Sequence, residues 1–290
     1  MSRRSTFPLD LFKALEQNDT NRLKDLLSQG GDPNESYDSL TNISLLHMAC
    51  EKRQIECIHI LIEAGADIRK RDDFGMHPMM NAIISQYHDV AEILLSHDPY
   101  IVDIQDRYGK APIHMAVESD SIETVELLVR YGCNIDCYSS SGTTPLMALC
   151  ADTNLKNNKH IMDILLAEKP NLEMTDFQCR RTALQYAVIK KNVDAVEALL
   201  SAGANTNTID MVGRTPITNV MWEHVKIYDG SKGIDPDVMM IIVMLIQSGA
   251  DLNCNKMEYS NPLVTAAFLE AEPLIRFFLE YGCNPNVTCM

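Results

Sequence analysis

Three features of this 290-residue chain together predict an all-α solenoid of stacked helix–turn–helix units joined by hairpin-like turns. A short segment recurs in phase along the chain, a second landmark follows it at a nearly fixed distance, and no linker or low-complexity tract breaks the series. A chain of this length is long for one hydrophobic core, but a repeat array adds core one unit at a time. With 46% hydrophobic and 22% charged residues, the composition is that of a folded chain.

The first landmark reads small residue or Thr, Pro, aliphatic, two variable residues, then Ala. It begins at Ser44, His77, Ala111, Thr144, Thr182, Thr215 and Asn261, so successive starts lie 33, 34, 33, 38, 33 and 46 residues apart. Thr144-Pro145-Leu146 and Ala111-Pro112-Ile113-His114-Met115-Ala116 show it well. Proline costs nothing at the first turn of a helix, where its missing N–H has no partner, and the Thr or Ser before it accepts a backbone N–H. The Leu and Ala three residues apart place one large and one small residue on a single helical face, which lets paired helices approach.

The second landmark ends each unit, as in Leu61-Ile62-Glu63-Ala64-Gly65-Ala66-Asp67 and Leu199-Leu200-Ser201-Ala202-Gly203-Ala204-Asn205. Its leucines drive the second helix into the core, and its glycine ends that helix in the left-handed conformation. Two copies, Leu94–Pro99 and Leu165–Pro170, lack the glycine. Segments such as Asp73-Phe74-Gly75 and Arg107-Tyr108-Gly109 read as the turns that enter the next unit.

Taken in order, residues 1–8 form an N-terminal extension and residues 9–289 one repeat domain. Its units lie at about 9–39, 40–72, 73–106, 107–139, 140–177, 178–210, 211–256 and 257–289. The first is expected to cap the array: Leu9, Phe12, Leu15, Leu23, Leu26 and Leu27 supply an apolar face, and Lys13, Glu16, Asp19 and Asp25 a solvated one. The fifth carries about five extra residues near Asp152–Lys159, and the seventh about thirteen between Trp222 and Asp237. Both insertions fall between the two helices of a unit. The last unit ends at Met290 with no polar cap, which predicts a longer protein or a covering partner.

Thr-Pro-Leu followed by Ala, with a closing Leu-Leu-x-x-Gly-Ala-Asp, resembles the ankyrin repeat, and the resemblance covers residues 9 to 289 in eight units. It implies protein–protein interaction: a scaffold or adaptor holding an extended segment of another protein on the concave face made by the turn tips and first helices. Carried onto this sequence, that face holds Met48, Asp73, Phe74, Asp106, Tyr108, Met115, Phe177, Tyr186 and Met211. Aromatic and methionine side chains suit an anchor-taking groove, and flanking carboxylates favour a basic or amphipathic segment. Trp222, the single tryptophan, opens the longer insertion and reads either as a partner contact or as a local packing plug. Two further roles fit the same resemblance: the substrate-recruiting part of a ubiquitin ligase, although no ligase-docking box is present, and the regulatory array of a larger enzyme or channel. Ankyrin proteins are also hydroxylated on the Asn that follows the Gly-Ala-Asp turn, usually with Leu eight residues earlier, which here implies Asn34, Asn207 and Asn253 with Leu26, Leu199 and Leu245.

Composition narrows the rest. The net charge of −15 disfavours nucleic acid and anionic membranes, since both are bound through Lys and Arg. No apolar run reaches the length of a membrane span, and the start, Met1-Ser2-Arg3-Arg4-Ser5, has no apolar signal region, so the cytoplasm or the nucleus is the expected compartment. Nine irregularly spaced cysteines read as free thiols. Cys133 with Cys137, and Cys283 with Cys289, are not Cys-x-x-Cys pairs, and His47 and His114 have no second ligand at zinc spacing. With no phosphate loop, nucleophile elbow or His-Glu-x-x-His, no enzyme activity, cofactor, metal or small-molecule substrate is expected.

Overall fold

The computed structural model describes residues 7–36, 41–225, 233–257 and 259–286. The N-terminal residues before Phe7, the centre of the longer insertion at 226–232, and the end of the chain with Cys289 lie outside them. Among the described residues the secondary structure is helical, sixteen α-helices in succession with one short 3-10 turn and no strands. They divide into two compact units, Met1–Asn134 and Ile135–Met290.

The N-terminal unit holds α1 (Phe7–Glu16), α2 (Thr20–Ser28), α3 (Leu45–Glu51), α4 (Ile55–Glu63), α5 (Pro78–Ile84), α6 (His88–His97), α7 (Pro112–Glu118) and α8 (Ile122–Arg130). The C-terminal unit holds α9 (Pro145–Ala151), α10 (Asn158–Ala167), α11 (Ala183–Ile189), α12 (Val193–Ser201), α13 (Pro216–His224), α14 (Pro236–Gln247), α15 (Pro262–Phe268) and α16 (Glu272–Glu280). Odd-numbered helices are the first of each pair and stack on one another: α3 on α5 and α5 on α7 in one unit, α9 through α15 in the other. Both insertions lie between first and second helices, at α9–α10 and α13–α14.

The hydroxyl caps form as expected. Ser44, Thr144, Thr182 and Thr215 accept the backbone N–H of the residue three positions on, at 3.3–3.4 Å. His47 closes its box from the other side: Nδ1 accepts the Ser44 N–H at 3.2 Å, which leaves Nε2–H to donate to the Met76 carbonyl at 3.0 Å. The core between the pairs is small and aliphatic, with Leu46, Ala49, Leu61, Ala82, Leu94 and Ala116 fully buried in the N-terminal unit.

Gly65, Gly203 and Gly249 are left-handed at the ends of second helices, as the pattern requires. Where the glycine is missing, the chain solves the same problem in two ways. Lys169 adopts the left-handed conformation itself (φ 55°). Asp98 instead starts the 3-10 turn Pro99–Asp103 and accepts the Tyr100 N–H at 3.2 Å.

Candidate protein-binding face

Four of the turns that enter a new unit are built around an aspartate, while in the turn entering the fifth unit the Ser139 hydroxyl accepts the Thr143 N–H at 3.2 Å instead. Asp106 accepts the N–H groups of Tyr108 and Lys110 at 2.8 Å each, and Asp210 those of Val212 and Arg214 at 3.0 and 2.8 Å. Asp72 and Asp176 do the same for their turns. Successive turns then bond to one another, as in Arg107 N–H to the Phe74 carbonyl (2.9 Å) and Met211 N–H to the Cys179 carbonyl (2.7 Å).

This corrects part of the sequence reading. Asp72, Asp106, Asp176 and Asp210 are buried, each 8% exposed or less; an oxygen of each is taken up by backbone donors of its turn, and the other oxygen of Asp210 lies 3.7 Å from Arg181. Asp73 does face solvent. With the aspartates turned inward, the residues beside them turn out: Phe74 is 47% exposed, Tyr108 53%, Phe177 61% and Met211 61%. In the N-terminal unit the Arg107 guanidinium lies 5.8 Å from the Phe74 ring and 5.5 Å from that of Tyr108, bridging the two. In the C-terminal unit Phe177 packs on Tyr138 with ring centroids 5.0 Å apart.

The first helices add two rows, at their fourth and seventh residues. The fourth row was the one expected to meet a partner. Met48 and Tyr186 are half-buried, but Met115 is 5% exposed and is core, a second correction: it is wedged within the stack and not available at the surface. The Tyr186 hydroxyl donates to Asp176, and burial together with that carboxylate pushes the phenol up to about 12. The seventh row, at the helix ends, is the accessible one. It reads Glu51, Ile84 and Glu118 in the N-terminal unit, all exposed, and Ala151, Ile189, Trp222 and Phe268 in the C-terminal unit.

Trp222 is half-buried. Its ring lies 5.1 Å from that of Phe268 and 5.7 Å from that of Tyr259, and Arg214 stacks on it at 5.0 Å. It therefore packs locally and also borders the surface, since Phe268 is 68% exposed. The 226–232 part of its insertion lies outside the described residues.

The asparagines expected to accept a hydroxyl staple one unit to the next. Asn34 accepts the Asp67 N–H at 2.7 Å and donates to the Gly65 carbonyl at 3.2 Å; Asn207 makes the same pair with Asp251 (2.7 Å) and Gly249 (3.0 Å). Asn253 accepts the Asn284 N–H at 2.8 Å. Among the described residues no group of His, Cys, Asp and Glu is arranged to hold a metal, and no helix is long and apolar enough to cross a membrane.

The family model for ankyrin repeats matches residues 11–106, 46–139 and 113–210. The chain belongs to the ankyrin-repeat family. Ankyrin repeats are protein–protein interaction modules, and this one shares their fold with the crystal structure of the ankyrin repeat domain of Bcl-3, at 20% identity and a TM-score of 0.68, covering 85% of this chain and all of that one. Among curated proteins it is similar to the E3 ubiquitin-protein ligase KEG of Arabidopsis thaliana, 26% identical over 82% of this chain and 14% of the ligase. Human palmitoyltransferase ZDHHC13 is 29% identical over 72% of this chain and 33% of the transferase. The ankyrin repeat protein OPG189 of Variola virus is 34% identical over 43% of this chain and 23% of its own length. The chain thus spans a third or less of these relatives.

Proposed function

We propose that this ankyrin array is a scaffold or adaptor that holds an extended, amphipathic segment of another protein across its turn tips and first helices. The observation that carries the reading is the division of labour at the turns. The polar side chains bond inward, while large apolar ones stand outward on neighbouring turns, Phe74 and Tyr108 in the N-terminal unit and Phe177 and Met211 in the C-terminal unit. An exposed Phe or Leu alone means little, but a row of them at one structural position is what an anchor-taking surface needs. In the N-terminal unit the exposed carboxylates of Glu51 and Asp73 beside Phe74 favour basic residues in the segment, as does the net charge of −15.

Site-specific photo-crosslinking tests this. With p-benzoylphenylalanine in place of Phe74 or Tyr108, the full chain in native lysate is expected to crosslink a partner; in place of His59 or Glu126, exposed on second helices, it is not. Crosslinks confined to the second-helix positions overturn the reading. A second reading, that the array recruits substrates for a ligase or regulates a larger enzyme or channel, is favoured by the company it keeps: matched relatives include a ubiquitin ligase, a palmitoyltransferase and a cation channel.

A further inference from the structure

The C-terminal unit differs from the N-terminal one along the seventh-residue row. Where the N-terminal unit sets Ile84 between Glu51 and Glu118, the C-terminal unit has no charge in the row: Ala151, Ile189, Trp222, Phe268. The row's bulk is largest at its last two members, Trp222 and Phe268, and between them lies a cavity of about 40 Å³ walled by Trp222, Tyr259, Val264, Thr265 and Phe268. That volume takes the end of an aliphatic side chain and not an aromatic ring. On the tips of the same unit, Phe177, Met211, Val212 and Met257 are each at least 50% exposed. Two apolar rows therefore run along the stacking direction, one on the tips and one on the helix ends.

On the tips of this unit the exposed charges among the described residues are cationic, while beside the helix-end row the carboxylates of Glu223 and Glu270 are exposed. Arg180 and Lys256 are exposed and make no ion pair among the described residues. Arg214 is partly exposed, 3.5 Å from Glu223. The carboxylates on these turns, Asp176 and Asp210, are buried and hydrogen-bonded to their own turns. In a chain that is acidic as a whole, the tips of this unit present cations. Hydrogen bonding points the same way. Trp222 Nε1–H and Arg214 Nε–H are both sealed from solvent with no acceptor among the described residues. A buried donor without an acceptor is costly; Trp222 walls the cavity and Arg214 stacks on its ring, so an acceptor brought from outside would satisfy them.

We propose that the tip-and-first-helix face of the C-terminal unit, centred on Trp222, takes an extended segment of another protein that seats one aliphatic side chain between Trp222 and Phe268 and sets a carboxylate beside Arg214. The inference rests on the scaffold reading above and gives it a place and a ligand chemistry: Leu, Ile or Met as anchor, with Asp or Glu close by. The aliphatic end fills the cavity, which supplies specificity for shape, and the guanidinium supplies specificity for charge.

Selection of random dodecapeptides displayed on phage against the full chain is the test. Peptides enriched for an aliphatic residue followed within a few positions by Asp or Glu are expected, and one such peptide, labelled with fluorescein, serves as the probe. Its affinity should fall about tenfold or more in Trp222→Ala and in Arg214→Gln. Because Trp222→Ala could loosen α13, Phe268→Ser is the decisive variant: Phe268 is already 68% exposed, so the fold is kept while the cavity loses a wall, and the same loss is expected. Phe74→Ser, in the N-terminal unit, should leave the probe's affinity unchanged. Enrichment of basic peptides, or binding lost in Phe74→Ser and kept in Phe268→Ser, overturns this inference while leaving the scaffold reading intact. A concentration-dependent dimer in analytical ultracentrifugation that Phe268→Ser abolishes also overturns it, by making a second copy of the chain the occupant. Failure of the scaffold reading itself shows separately, as crosslinks from the second helices alone.

Discussion

Lowering the pH from 7 to 5 should weaken the N-terminal unit through one side chain, His77. It stands at the start of α5, in the position that Ser44, Thr144, Thr182 and Thr215 occupy elsewhere, yet it makes no cap bond. The imidazole is fully buried, and it lies close to the Ile104 backbone without reaching hydrogen-bond geometry. Burial first, and then His47 and Arg71, push its pKa from 6.5 down to about 3, against a smaller opposite pull from Asp98. The sign follows. A folded-state pKa below the unfolded one means that the unfolded chain binds the extra proton, so stability is whole above pH 6.5 and drains away as pH falls toward the folded value. One proton of difference is worth about 1.4 kcal/mol per pH unit, so the fall from 6.5 to 5 removes about 2 kcal/mol. His47, also pulled down by burial, acts in the same direction. The carboxylates do not confuse the window: Asp98, bonded to Arg69, and Asp235, bonded to Lys191, lie below their usual 3.8, and what they add is lost only in stronger acid. Urea titrations at pH 7 and pH 5, followed by amide exchange of α5 and α6, measure the loss, and His77→Thr should remove about 2 kcal/mol of the difference between them. An NMR titration of His77 with a midpoint near 6.5, or a pH dependence unchanged in His77→Thr, would refute the reasoning.

Other perturbations separate the roles assigned to neighbouring residues. Asp210→Ala strips the acceptor from the part-buried N–H groups of Val212 and Arg214 and should cost about 1–3 kcal/mol in chemical denaturation, whereas Asp73→Ala, on an exposed carboxylate, should stay within about 0.5 kcal/mol. Gly142→Ala should destabilise the C-terminal unit well beyond Gly203→Ala, as seen in thermal midpoints: both glycines are left-handed, but a Cβ at 142 would lie 2.4–2.5 Å from Phe177, and one at 203 meets nothing within 4 Å. Hydroxylation of Asn34, Asn207 and Asn253 should appear as one added oxygen on their peptides in mass spectrometry of the native protein; unmodified peptides at all three remove that proposal. Asn207→Ala should cost about 1–2 kcal/mol whatever its modification state, because both ends of the amide hold the next unit.

The stack of helix pairs was legible in the sequence because a repeat writes its own phase. Once Thr144, Thr182 and Thr215 are aligned, the caps, the buried aliphatic residue three positions beyond the Leu or Ile, and the left-handed Gly65 and Gly203 follow from the chemistry of single positions. The face was less legible. Met115 and Trp222 occupy the fourth and seventh positions of their first helices, which lie on one side of a helix three residues apart. Periodicity says they share that side, but how far the next pair overlaps it decides which is covered, and only the seventh, at the helix end, stays open. The turn aspartates misled for a similar reason. Asp106 looks like a surface carboxylate by its neighbours Gln105 and Arg107, and only the backbone path, with Tyr108 and Lys110 N–H converging on Oδ1, turns it inward. Nor does the pattern announce that Arg53, Gln86, Asp120 and Lys191 are left-handed without being glycine; each follows a first helix, where the tight link to the second helix imposes the conformation.

The inward aspartate is also what leaves this fold free to change its recognition surface. A turn exposed to water normally needs polar side chains to satisfy its backbone, and those would occupy the surface. At four of the turns one buried carboxylate accepts two or three N–H groups, and the turn-to-turn bonds, such as Arg107 N–H to the Phe74 carbonyl, take up more. The residues next to the aspartate are then released from any structural duty. They can be Phe74 and Tyr108 clasping an arginine in one unit and Phe177 and Met211 in the other, at no loss to the backbone. The caps relieve the first helices in the same way and leave their last residue unconstrained, so Glu118 and Phe268 are equally admissible at a single position. Stability and recognition are thereby carried by different rows of one repeat. It follows that Phe268→Ser should change binding without changing folding, while Asp210→Ala should change folding first and binding only as a consequence.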